Sequence, residues 1–291
     1  MLNPATGQGV SVKKNITILV SDKFIGKKFT LKDGEIHKKS VTTFSSGEAV
    51  SAYAPDAETL RAVIETLSEG ENLCLGVMPD HDKAKVVRDE DYRRLKDKTG
   101  TIARTTDHLV HPDGAGWLLI DFDDDWMPKA VADRIEALGG VEGALRHIWP
   151  ELKDAEMLVR ASSSAGVYAD GIDPKASTGL HVYVLIKDPA NSKAALDALD
   201  RRAWAAGLGW IKPGKAGQAL VRSIIDTAVW QANRISFEAP PKLGPGVKRM
   251  EQPIRTQAGQ ALDAPIVAPD VSELIEADKV RMRLVLDEIR N

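Results

Sequence analysis

Residues 116–125 read GWLLIDFDDD, an apolar run that ends abruptly in carboxylates. Trp117, Leu118, Leu119 and Ile120 follow a turn region containing Pro112, Gly114 and Gly116. A short continuous apolar segment after such turn residues suits a strand buried on both faces. Asp121 and Asp123 are two apart, so on an extended chain they point to one side while Phe122 points to the other. Like charges held that close are unfavourable without a cation. A strand presenting them binds a divalent metal, raises one pKa, or ends in solvent, since acidic clusters also simply terminate strands.

A chain of 291 residues with 43% hydrophobic content is long enough for one large domain or two lobes around a sizeable core. No stretch approaches 18 consecutive apolar residues, and the amino terminus MLNPATGQGVSVKK lacks the apolar centre of a secretory signal. An intracellular, cytoplasmic protein is expected. The single Cys74 agrees, and it excludes a disulfide framework or an all-cysteine zinc site supplied by this chain alone. A net charge of −3 argues against one uniformly basic nucleic-acid surface. The charge is nevertheless uneven: Lys23, Lys27, Lys28, Lys32, Lys38 and Lys39 crowd the first forty residues, and Arg201, Arg202, Lys212, Lys215 and Arg222 form a second set. Each reads as a solvated face or as a local groove.

Residues 1–14 are polar and Gly-rich and are expected to be disordered. From 15 to about 54, runs such as ITILV and KKFTL broken by Gly26, Asp33-Gly34 and Gly47 predict an antiparallel meander. A helix is expected from Pro55-Asp56 to about Gly70, a strand at ENLCLGVM, and a charged helix over 89–98. After the carboxylates come a helix over 127–138 stopped by Gly139-Gly140, and a second over 141–149. MLVRASSSAGVY and ASTGLHVYVLI predict strands, 190–206 a helix, and 223–230 with 234–238 a further strand pair. Residues 242–270, rich in Pro, Gly and Ala, read as a linker, and 271–291 as an amphipathic helix. From Trp117 to Glu238 the order approximates the β-α-β-β-α-β pattern of a ferredoxin-like, RRM-like antiparallel sheet.

Three motifs could meet on such a sheet: DFD at 121–123, STGLH at 177–181 and IID at 224–226. Asp226 follows two isoleucines much as Asp121 follows Leu119-Ile120. Three carboxylates from neighbouring strands are the minimum for two Mg²⁺ or Mn²⁺ ions, the arrangement that aligns in-line phosphoryl transfer. His181, with backbone donors of Thr178 and Gly179, suits a polyphosphate.

In this order the motifs resemble those of the archaeo-eukaryotic primase (AEP) superfamily, which includes the primase-polymerases of replicative plasmids, phages and integrative elements. That family has an apolar run into Asp-x-Asp or Asp-x-Glu, a small-x-His on a strand, and an apolar-Asp, here LLIDFD, GLH and IID. Asn233-Arg234 is similar to the NR of eukaryotic primase-polymerases. The likeness covers roughly residues 100–240. It implies a two-lobed α+β core: an amino-terminal α/β lobe over 15–105, and an RRM-like sheet over 106–241 that carries the active site. It also implies metal-dependent, template-directed transfer of nucleotides from (d)NTPs onto a primer or initiating nucleotide on single-stranded DNA, with release of pyrophosphate. Asp121, Asp123 and Asp226 would be the catalytic residues and hold a two-metal Mg²⁺ or Mn²⁺ site. His181 and Arg234 would meet the triphosphate, with Ser177, Thr178, Gly179, Arg160 and Lys175 in the same pocket. Arg104, Lys212 and Lys215 would face template or primer phosphates. The implied partners are single-stranded DNA, (d)NTPs and a helicase domain or protein, with no membrane.

The chain departs from the family in having Gly179 where many relatives have Ser, which moves any hydroxyl contact to Ser177 or Thr178, and in lacking zinc ligands found in some relatives. Two other readings stand beside this one. A haloacid-dehalogenase-like phosphohydrolase also ends an apolar strand in Asp-x-Asp, but expects a Rossmann-like sheet. A non-catalytic replication-initiator module would bind origin DNA through the same surface and leaves the carboxylates unexplained.

Overall fold

The computed structural model describes residues 13–172, 179–214 and 216–290. The α+β chain begins with β1 (Ile16–Ser21), β2 (Gly26–Lys32), β3 (Glu35–Val41) and β4 (Ser46–Ala52). β1 pairs antiparallel with β4, and β2 with β3, as the meander pattern predicts. Asp33 (φ 53°) and Gly34 (φ 77°) close the β2–β3 hairpin, both left-handed as a two-residue type I′ loop requires. Helix α1 (Ala57–Thr66) starts at Asp56, whose carboxylate accepts the Thr59 N–H at 2.7 Å, and it buries Leu60 and Ile64 one turn apart. β5 (Glu71–Cys74), β6 (Lys83–Val87), the charged helix α2 (Asp89–Arg94) and β7 (Thr101–Ala103) follow. They complete a first sheet running β5-β1-β4-β6-β7.

The second sheet is built around the acidic strand. β8 (Gly116–Phe122) leads through α3 (Lys129–Ala137) and α4 (Gly140–Ile148) to β9 (Met157–Ala161); β10 (Val167–Ala169), β11 (Leu180–Ile186) and α5 (Ser192–Ala205) come next. β11 lies between β8 and β9 and is antiparallel to both. Three strands of the expected β-α-β-β-α-β pattern therefore stand in its order. The fourth does not form. β12 (Gly209–Pro213) and β13 (Ala219–Ser223) make a separate hairpin. Beyond it the predicted strand over 223–230 is interrupted, because the Asp226 carboxylate accepts the Ala228 N–H at 2.9 Å and starts a 3₁₀ turn over Thr227–Trp230. The Asp226 N–H donates to the Asp121 carbonyl at 3.2 Å, so this bend lies along the edge of β8.

The expected boundary at 241 and the linker over 242–270 need correction. β14 (Ile235–Ser236) crosses back to pair with β5, extending the first sheet to six strands. β15 (Lys242–Leu243) pairs parallel with β2, β16 (Val247–Arg249) antiparallel with β10, and β17 (Arg255–Gln257) antiparallel with β9. Exposed strand edges need partners for their backbone groups, and this segment supplies them. Its Pro and Gly mark the corners between very short edge strands. Buried Glu156 fixes the join: Oε1 accepts the Ala57 N–H at the start of α1 (2.6 Å), and Oε2 accepts the Gly259 N–H (2.7 Å). Helix α6 (Ser272–Arg290) follows, as the apolar periodicity predicts, and packs on β12 and β13. Residues 1–12, expected to be disordered, lie outside the described residues.

Ile16, Leu60 and Leu73 share one continuous core with Trp117–Ile120 of β8 and Val182–Ile186 of β11. The Trp117 indole N–H donates to the Ala54 carbonyl at 3.0 Å, anchoring the start of β8 to the end of β4. Among the described residues, no helix is long and apolar enough to cross a membrane.

Candidate active site

The register of the second sheet sets three predicted residues side by side. Asp121 of β8 faces His181 of β11, and His181 in turn faces Arg160 of β9. Directly opposed residues project to the same face of a sheet, so the side chains form a row. Behind it lies Glu238, with its carboxylate wholly buried. The His181 Nδ1–H donates to Glu238 Oε1 at 2.6 Å, and Nε2 turns toward Asp121 Oδ1 at 3.5 Å. Tyr183, two residues on and so on the same face, donates its hydroxyl to Glu238 Oε1 at 2.5 Å, and Ser236 donates to the same oxygen at 2.8 Å. Arg160 Nη1 donates to the Glu238 carbonyl and lies 2.9 Å from Oε2.

Burial disfavours charge on the His181 imidazole. The Glu238 charge and hydrogen bond, together with the Asp121 charge, outweigh it and hold the pKa above that of an ordinary histidine. Burial likewise disfavours ionised Glu238, but His181 and Arg160 hold it well below the usual carboxylate range. The Asp121 carboxyl is pushed up, first by burial and further by Asp226 and Glu238, against the pull of His181 and Lys27.

Asp121 sits where three concavities meet. The largest, about 790 Å³, is lined by Asp121, Asp123 and His181 and by Lys27 and Lys38 of the β2–β3 hairpin. A second, about 370 Å³, brings Asp226, Asp125 and Asp200 to Asp121 and Asp123. The third, about 150 Å³, is lined by Asp121, His181, Lys27 and Arg234. Asp121, Asp123 and Asp226 thus open onto common space, with Asp123 exposed and Asp226 half-buried. Among the described residues, no group of three or more His, Cys, Asp or Glu is already drawn together as a metal cage. Carboxylate oxygens on two segments joined by a backbone hydrogen bond are the donor type that a hard cation would take.

The other predicted residues have definite places. Arg234 is exposed and donates from Nη1 to the Ala228 carbonyl at 3.0 Å, beside the smallest concavity. Arg104 donates to the Asn233 carbonyl (3.0 Å) and receives the Asn233 side-chain N–H on its own carbonyl (3.3 Å), so it braces the Asn233-Arg234 turn. Lys212 is paired with Asp125. Gly179 packs against Ser162: a Cβ there would meet Ser162 Oγ at 3.2 Å. Among the described residues, Ser162 and Ser164 bring hydroxyls to this corner of the large cavity. Lys175, Ser177, Thr178 and Lys215 lie outside the described residues.

Glu238, Tyr183, Lys27 and Lys38 were not singled out by motif. Glu238 carried a local signal, since Ser236 and Glu238 are two apart on a β-rich run ending at Pro240-Pro241 and so share a side. Lys27 and Lys38 carried only the signal of the basic run they belong to, which does not say that their hairpin lines this cavity. Comparison of the chain with family models, with curated proteins and with solved structures returned no match.

Proposed function

We propose that the chain is a primase-polymerase, a nucleotidyltransferase that extends a primer or initiating nucleotide on single-stranded DNA, and that its two sheets are the two lobes of such a core. The observation that carries this reading is convergence. Motifs about sixty and forty-five residues apart in sequence come to one cleft, with Asp121 opposite His181 and the Asp226 bend hydrogen-bonded along the same strand. The order of the motifs and the antiparallel neighbourhood of β8 both favour it over a dehalogenase-like phosphohydrolase, which needs a parallel sheet.

Asp121, Asp123 and Asp226 would hold Mg²⁺ or Mn²⁺, which when bound supplies charge neutralisation and alignment for phosphoryl transfer. His181, held through Nδ1 by Glu238, turns Nε2 toward Asp121 and lines the large cavity. Arg234, steadied by Ala228, offers its remaining guanidinium donors to phosphate oxygens. Arg160 is committed to Glu238, so it steadies the His181–Glu238 pair rather than reaching a phosphate. Single-stranded template and primer would lie outside the cleft, and a helicase is a further partner of this reading.

The direct test incubates the protein with Mn²⁺ or Mg²⁺, single-stranded template and labelled nucleotides, with and without primer. Template-dependent extension is expected. Release of phosphate from small monoesters without extension would overturn the reading in favour of the hydrolase.

A further inference from the structure

The β2–β3 hairpin presents two different faces. Lys27 and Phe29 are two apart on β2, and Lys38 of β3 stands directly across from Phe29, so by strand alternation these three share a face. Ile36, two residues before Lys38, lies on it as well. All four line the 790 Å³ cavity whose opposite wall holds Asp121, Asp123 and His181. Lys28 and Lys39, opposed to each other in the next register position, fall on the other face.

Lys27 is partly buried, and its ammonium donates to Ser164 Oγ at a long 3.4 Å. Among the described residues neither Lys27 nor Lys38 is within salt-bridge distance of a carboxylate, although lysines elsewhere on the surface, such as Lys83 and Lys129, find one. Withdrawing the Lys27 ammonium from water without an ionic partner is costly, and the exposed Lys38 on the same wall repels it as well. The cavity is thus uneven in charge: Lys27 and Lys38 on the hairpin side, where Glu35 at the hairpin tip is the one carboxylate among the described residues, Asp121, Asp123 and Asp124 on the sheet side, and the apolar groups Phe29, Ile36 and Val167 between. Its volume is in the range that encloses a small-molecule ligand.

From this arrangement we infer that the inner face of the β2–β3 hairpin is a polyphosphate-binding wall, with Lys27 and Lys38 gripping the phosphate tail of a nucleoside triphosphate whose base and sugar rest on Phe29 and Ile36. A polyanion set between ammonium groups and cation-loaded carboxylates relieves both charged walls at once. A monoanion or a neutral ligand relieves neither fully. The hydroxyls of Ser162 and Ser164 line the same cavity as further donors. Identification of the tail as that of a nucleoside triphosphate rests on the nucleotidyl-transfer reading; the cationic wall itself does not.

The test uses the full chain and three single variants, Lys27→Met, Lys38→Met and, from the outer face, Lys39→Met. Binding of mant-ATP, mant-AMP and mant-adenosine is followed by fluorescence in Mn²⁺, and binding of labelled single-stranded DNA by anisotropy without nucleotide. Lys38 is exposed, so its variant keeps the fold even if the Lys27 variant does not. Lys27→Met and Lys38→Met are expected to weaken mant-ATP about tenfold or more, corresponding to ~1.4 kcal/mol, and to leave mant-adenosine and DNA within twofold, while Lys39→Met changes none of them. Retention of mant-ATP affinity by both inner-face variants overturns the inference. So does equal loss for mant-ATP and mant-adenosine, or loss of DNA affinity alone, which would make the hairpin a contact for the nucleic-acid backbone. If the lysine dependence holds but the wild-type protein extends no primer, the wall stands and the polymerase reading falls.

Discussion

His181 and Glu238, 57 positions apart in sequence, are joined by a 2.6 Å hydrogen bond inside the protein. The same imidazole directs its other nitrogen at Asp121, so the orientation of a candidate metal ligand depends on a carboxylate that touches no solvent. Removing one partner of such a buried pair strands the other's charge, which costs far more than the pair itself contributes.

The pH dependence of stability follows in sign from the two shifts. Glu238 is depressed, so its contribution is present above the unfolded carboxylate pKa of about 4.3 and is lost as pH falls toward its folded value. His181 is raised, so its contribution is complete below about 6.5 and is lost as pH rises through its folded value. In metal-free protein this pair is worth most between those limits. Glu238→Gln should flatten both limbs and cost roughly 3–5 kcal/mol at pH 6. Urea midpoints from pH 3 to 9 in EDTA check it, and a variant profile parallel to wild type would contradict the assignment.

The aspartates should separate activity from stability. Asp121→Asn removes a carboxylate whose pKa is raised by burial and by its acidic neighbours, so folded stability at pH 7 should hold or rise while nucleotide addition is abolished. Asp226→Ala should also abolish addition, but at a cost of about 1 kcal/mol, because its carboxylate caps the turn at Ala228. Asp226→Asn keeps the cap and still removes the charge. Saturating Mn²⁺ should raise the melting temperature of wild type and not of Asp121→Asn. A Mn²⁺ shift that survives in that variant would remove Asp121 from the metal site.

Much of the architecture was legible because it is written in local periodicity. The buried strand of Trp117–Ile120, the helix spacing of Leu60 and Ile64, and the Asp33-Gly34 turn each declare themselves within a few residues. Asp121 and His181 were legible through their motifs, and the sheet sets them opposite each other. What escaped was non-local. Lys27 and Lys38 become site residues only when the hairpin folds over β8, and Glu238 only when β14 crosses to β5. The segment over 242–270 misled for a different reason: a flexible linker and a run of two- and three-residue edge strands share the same abundance of Pro and Gly.

Gly259 shows whether the segment over 242–270 is docked. A Cβ on Gly259 would lie 2.4 Å from both the Asp154 carbonyl oxygen and the Ala155 carbonyl carbon, backbone atoms that cannot swing aside. Gly259→Ala should therefore cost roughly 1–3 kcal/mol or more in urea denaturation. A change under about 0.5 kcal/mol would mean that this stretch is not docked.

If the chain is a primase-polymerase, charge predicts how it holds nucleic acid. A chain of net charge −3, with carboxylates at the cleft, should bind single-stranded DNA weakly and salt-sensitively, and more tightly when Mn²⁺ and nucleotide are added together. Blunt duplex offers no unpaired template base and should show little of this coupling. Titrations at fixed ionic strength distinguish the cases, and tight duplex binding indifferent to both additions would favour an origin-binding module.

β14 also has a mechanical consequence. Ile235 and Ser236 are hydrogen-bonded into the first sheet, and Glu238 is clamped by Arg160 and His181 of the second. This short piece of chain rivets the two sheets together, and neither can rotate against the other without pulling a carboxylate out of its buried cluster. The β2–β3 hairpin belongs to a small sheet of its own with β15, hydrogen-bonded as a ladder to neither large sheet among the described residues. The hairpin bears on the cleft through side chains instead: Phe29 is buried with Val167 of β10 and Val247 of β16, so the basic wall is seated on the same β10–β16 pair that the segment after Pro240-Pro241 completes.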